Sequence, residues 1–130
     1  MLAMADLRMT VQRIALDHVH EPGTLRSWGL APLYRDGDEV LVPCAPGEAV
    51  WIGAWMEESL QERASRLRVT DPISGHGGTL ELPHDYQLAL LRREGGEPEP
   101  LTLTAGETQR TLTLELATGT VEAILSLSLL

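Results

Sequence analysis

Lysine, asparagine and phenylalanine are absent from the 130 residues, and cysteine occurs once. Without lysine, Schiff-base chemistry and the lysine-bearing phosphate cradle of a P-loop are excluded. All 10 basic residues are therefore arginines, set against 19 acids for a formal charge of −9. Phosphates would be repelled by such a surface, which argues against nucleic acid as a partner. The lone Cys44 leaves no internal disulfide to form. No apolar run approaches the roughly 20 residues of a membrane-crossing helix. The segment Met1–Met9 carries Asp6 and Arg8 where a signal peptide would have its apolar stretch. A cytoplasmic protein with no membrane contact is the expectation.

What is there is a globular composition, 43% hydrophobic and 22% charged, at a length suited to a single domain over 1–130. The dominant pattern has a period of two. Leu101 and Leu103 share a face; so do Leu112, Leu114 and Leu116; so do Val121, Ala123, Leu125, Leu127 and Leu129. Threonines and serines (Thr102, Thr104, Thr111, Thr113, Ser126, Ser128) occupy the alternate positions. Three such runs in succession predict an antiparallel meander with one wet face. Segment 7–18 alternates through Leu7, Met9 and Val11 and then shifts phase to Ile14 and Leu16, which predicts a bulge near Gln12-Arg13. Further strands are expected around 30–34, 40–44, 49–56, 66–70, 79–83 and 86–94, with a turn at Asp36–Glu39 and loops at 74–78 and 95–100. The strand at 49–56 is apolar on both faces and reads as central.

One stretch is expected to be helical. Met56, Leu60, Ala64 and Leu67 recur at helical spacing, with glutamates early and arginines late, so a short helix is predicted near 57–67. The fold expected is an all-β antiparallel sandwich of jelly-roll type, with about 8–9 strands and that one helix. Its last strand runs apolar to Leu130 without lysine or proline to blunt an edge. It must therefore be internal to the sheet or covered by another subunit, and a homo-oligomer is expected.

Two constellations could carry function. His18 and His20 stand at i and i+2, so on a strand their imidazoles would point the same way and could share a divalent transition metal. This pair resembles the His-x-His of cupins, which implies a metalloprotein or metal-dependent enzyme. The chain departs from that pattern in its glycine, which comes only at Gly23, and in its glutamate, the adjacent Glu21; no second motif is recognisable around His76 or His84. The simpler reading is a strand end entering the Glu21-Pro22-Gly23 turn. In the second constellation Trp51, Gly53 and Trp55 share a strand face, and the glycine leaves a gap between two indoles able to stack on a sugar ring or a flat ligand. Tryptophan also supplies bulk that phenylalanine would otherwise provide, so a core role competes for Trp51, Trp55 and Trp28.

Nucleophilic chemistry finds little support. Cys44 has no base beside it in sequence, no G-x-S-x-G elbow exists, and Ser74-Gly75-His76 lacks an evident orienting partner. A non-catalytic binding or assembly module is the leading expectation. It would take a protein partner or a compact neutral ligand at Trp51, Trp55 and Trp28, without a cofactor. The cupin-like metalloprotein using His18 and His20 is the alternative.

Overall fold

A computed structural model describes residues 1–4, 7–19, 26–56, 65–83, 86–117, 119 and 121–129. Among these, the period-two pattern becomes twelve strands: β1 (Leu2–Met4), β2 (Leu7–Ala15), β3 (Tyr34–Asp36), β4 (Glu39–Cys44), β5 (Glu48–Met56), β6 (Ser65–Thr70), β7 (Gly77–Leu82), β8 (Gln87–Leu88), β9 (Leu90–Leu91), β10 (Glu99–Pro100), β11 (Gln109–Leu116) and β12 (Val121–Leu129). The only helical element among the described residues is a 3-10 turn, Leu16–His18. Of the helix expected near 57–67, residues 57–64 lie outside the described residues. Residues 65–67 open β6 instead, where Leu67 is buried by strand alternation.

Two sheets form an all-β sandwich. The smaller has the order β1-β2-β5-β8 and the larger β3-β4-β12-β11-β6-β7, with β9 and β10 as a separate pair. Alternate residues of both sheets point into one shared core. Met9, Val11, Ile52 and Ala54 come from the smaller sheet, and Val40, Val42, Leu67, Leu112, Leu125 and Leu127 from the larger. Leucines that favour helices in isolation are held extended here because alternation buries most of them.

The meander expected over 101–129 is half realised. β11 and β12 form a hairpin from Gln109↔Ser128 to Glu115↔Val121, with a register irregularity at Leu114/Glu115. The other neighbour of β11 is β6, however, and not the run 101–104. Leu101 belongs to the opposite side of the sandwich, where its carbonyl accepts the Val50 amide at 2.9 Å. Thr102 is buried too, its hydroxyl donating to the Glu48 carbonyl at 2.6 Å, so it is no part of a wet face.

The apolar C-terminal strand is internal. β12 lies between β11 and β4, and it pairs with β4 in parallel from Ile124↔Glu39 to Leu129↔Cys44. The exposed edge that motivated the expected homo-oligomer therefore does not exist. A parallel pair in an otherwise antiparallel pattern is invisible to alternation, because it depends on which distant strand arrives alongside.

The bulge expected near Gln12-Arg13 is also absent: β2 and β5 pair without a break from Leu7↔Met56 to Ala15↔Glu48. The change of phase marks the rim of the sandwich. Where the interior ends, the core-facing positions become an ion pair, Arg13 Nε donating to Glu48 Oε1 at 2.5 Å. Ile14, on the opposite face, joins Val19, Ala49 and Trp51 in a second, smaller apolar cluster.

Residues 86–92 cross between the sheets. Gln87 and Leu88 pair with β5, whereas Arg92 bridges to Gly77 of β7. Gly78 packs against the crossing, where a Cβ would stand 2.6 Å from Leu88 Cδ1. No helix among the described residues is long and apolar enough to cross a membrane.

Leu125 has no exposed surface and sits between two strands. Leu125→Ala is expected to lower unfolding stability by roughly 2–5 kcal/mol. Thr113→Ala, on the outer face of the same sheet, should change it by less than about 0.5 kcal/mol. Urea denaturation of the two variants checks this contrast.

Candidate functional site

The smaller sheet has one face in the core, and its other face carries a groove. In β5 the even positions Val50, Ile52, Ala54 and Met56 are core. The odd positions Trp51, Gly53 and Trp55 point outward and line this groove of ≈570 Å3, within the size range of small-ligand sites. Register sets its other walls. Gly53 pairs with Thr10 on β2 and with Gln87 on β8, and both side chains line the groove. Strands stand about 4.8 Å apart and rise about 3.3 Å per residue. Thr10 and Gln87 thus face each other across a glycine floor roughly 10 Å wide, with Trp51 and Trp55 about 13 Å apart along the strand.

The two indoles are not equivalent. Trp51 is 8% exposed and is anchored by its Nε1, which donates to the Arg26 carbonyl at 2.8 Å. Its six-membered ring leans over the glycine, where a Cβ on Gly53 would lie 3.3 Å from Trp51 Cζ3 and 3.4 Å from Thr10 Oγ1. The gap expected between two standing indoles is therefore partly floored by one of them. Trp55 remains 41% exposed and presents the open aromatic surface. Tyr86, 56% exposed, completes the lining, and beyond the two-residue β8 the groove drops past Ala54 toward Leu82 and Pro83. On the β2 side Gln12 is held in place: its Oε1 accepts from the Ser27 hydroxyl at 2.6 Å and its Nε2 donates to Thr10 Oγ1 at 3.3 Å. No carboxylate, imidazole or guanidinium lines the groove among the described residues.

Trp28 is 57% exposed but lies outside this lining, in a segment hydrogen-bonded along β2 through Trp28 N to the Arg13 carbonyl at 2.7 Å. His18 falls in the 3-10 turn after β2. The strand geometry that would have aimed it with His20 does not extend that far, and His20 lies outside the described residues, as does His84. No group of three or more His, Cys, Asp or Glu side chains able to hold a metal gathers among the described residues. Cys44 is buried in the core, and burial pushes its thiol above the ordinary range. It is not poised as a nucleophile.

A second polar constellation was not legible in sequence. Arg110 occupies a core-facing position of β11, and its charge gathers a network around it. Its Nε donates to Asp71 Oδ2 at 2.8 Å, its Nη1 to the Pro100 carbonyl at 3.0 Å, and its Nη2 meets the Glu99 carboxylate. Asp71 Oδ1 in turn accepts the Ile73 and Ser74 amides at 2.9 and 3.1 Å. The other Glu99 oxygen stands 3.0 Å from His76 Nδ1. Ser74, His76 and Glu99 thus come together, yet not as a hydrolytic triad. Ser74 Oγ lies 2.9 Å from the same Nδ1, while Nε2 faces the Glu97 carbonyl at 3.3 Å. A relay needs the hydroxyl and the carboxylate on opposite ring nitrogens. The network's evident role is to tie the 71–77 turn to the 97–100 segment.

Burial alone would raise the Asp71 carboxyl, but the hydrogen bonds from Arg110 and the two amides outweigh it and hold the group below its ordinary 3.8. The unfolded chain therefore binds that proton first. The stabilisation is complete above the unfolded value and is lost as pH falls through the lower, folded one. Arg110→Met should cost roughly 3–5 kcal/mol near neutral pH, because two carboxylates lose their counter-charge. The variant should regain part of that deficit relative to the parent on acidification, and thermal melts across pH check both signs.

Compared with known proteins, the chain matches no protein-family model, no curated protein and no solved structure.

Proposed function

We propose that this chain is a non-catalytic binding module that holds a compact neutral ligand in the groove between Trp51 and Trp55. The chemistry of the lining carries this reading. Aromatic and apolar surface alternates with neutral hydroxyl and amide groups, and no carboxylate, imidazole or guanidinium lines it among the described residues. Such walls desolvate and orient a ligand, but they offer no group that moves a proton readily near neutral pH. The lone buried thiol suits a reducing compartment, so the cytoplasm is the location this reading takes.

A second reading is association of two copies through the same sheet face. It is favoured by Leu30, 61% exposed, and Trp28 alongside β2. The metalloprotein reading built on His18 and His20 has no supporting observation among the described residues.

A screen of neutral fragments by thermal shift tests the proposal. Binders are expected to protect Trp55 from acrylamide and to lose their effect in Gly53→Val, whose side chain would fill the floor against Trp51 and Thr10. Fragment binding indifferent to both Gly53→Val and Trp55→Ala would remove the groove as the site. Light scattering at micromolar concentration decides the second reading, since a strictly monomeric mass excludes it.

A further inference from the structure

The groove narrows the ligand class further, on the premise that the binding-module reading holds. We infer that its ligand is a neutral saccharide, with one pyranose ring seated over Gly53 against Trp55. Three observations converge on that chemistry.

The first is the asymmetry of the two indoles. A planar heterocycle is gripped best between two parallel faces, but Trp51 is pinned through Nε1 to the Arg26 carbonyl and leans over the floor. One open platform, Trp55, is left. A pyranose needs one platform: its C–H face packs on an aromatic ring while its hydroxyls project around the rim.

The second is the position of the hydrogen-bonding groups. Because Gly53 has no side chain, its register partners Thr10 and Gln87 oppose each other across the floor. Their separation of roughly 10 Å leaves room for a sugar ring with a hydroxyl directed to each side. The Thr10 oxygen already accepts from Gln12 Nε2 at 3.3 Å, which leaves its own proton to donate toward a ligand. The Gln87 amide supplies both a donor and an acceptor, as a hydroxyl requires.

The third is charge. The chain carries −9 overall, so an anionic ligand approaches against its field. A cationic ligand would meet no carboxylate among the described lining residues. A polar but uncharged ligand satisfies both conditions.

The full chain, probed on an array of cello-, malto-, manno- and xylo-oligosaccharides with caffeine as a planar neutral control, tests this by tryptophan emission and calorimetry. Saturable binding of at least one saccharide is expected. Trp55→Ala and Gln87→Ala should each weaken it by roughly tenfold or more, while Trp28→Ala changes it by less than about twofold. Trp55 is surface-exposed, so its variant should fold, and the Gln87 variant tests the polar rim independently. If caffeine binds with the same Trp55 dependence and no saccharide does, the saccharide inference falls and the binding groove stands. If neither binds, both fall. Saccharide binding indifferent to Trp55 and Gln87 overturns the placement.

Discussion

The candidate site follows from β5, a strand apolar on both faces in a sandwich whose interior covers only one of them. Its even residues enter the core between the sheets and are covered by the larger sheet. Its odd residues face outward and require their own cover. Ile14, Val19 and Ala49 close over Trp51 at one end. Toward the other end this cover stops among the described residues, and the groove at Gly53 and Trp55 is what remains. The site is the unfinished half of a hydrophobic burial problem. An apolar outer strand face left partly open is costly in water.

A second constraint comes from placing a guanidinium inside a sheet. Arg110 occupies a position that alternation assigns to the core, and a buried charge is tolerated only when paired and hydrogen-bonded. Asp71 at the end of β6 and Glu99 in β10 are brought to it from segments 39 and 11 residues away in sequence, and His76 follows through Glu99. The network contributes specificity of connection: it determines where the 71–77 turn lies relative to the 97–100 segment. The resulting Ser74–His76–Glu99 cluster shows how proximity alone can mimic a catalytic set, and how the identity of the ring nitrogen decides otherwise.

Much of the architecture was legible. Alternation located the all-β sandwich and the β11–β12 hairpin, because burial on a pleated strand imposes a period of two, while the Asp36–Glu39 turn was read from its turn-forming residues and β5 from its unbroken apolar run. The failures are local and physical. The phase change at Ile14 looked like a bulge, yet it records the end of the sandwich interior, and a bulge and a rim produce the same string of residues. The run 101–104 looked like a partner of β11, because alternation reports that a residue is buried and not which sheet buries it. The Trp51–Gly53–Trp55 face was visible from spacing. Thr10, Gln12, Tyr86 and Gln87 were not, since each reaches the site only through pairing or a crossing between sheets.

The sequence by itself determined the chemical repertoire: no lysine, a single thiol, a strong negative charge, and strands whose apolar faces are written in alternate residues. Those properties are local or additive, so they survive without knowledge of the fold. Tertiary structure alone decided register, sheet membership and edge. It placed β12 in the interior beside a parallel β4, gathered Asp71, Glu99 and His76 around Arg110, and turned one indole into a floor and the other into an open platform. Each of these depends on long-range pairing, whose partners are fixed by the shared core and not by neighbours along the chain.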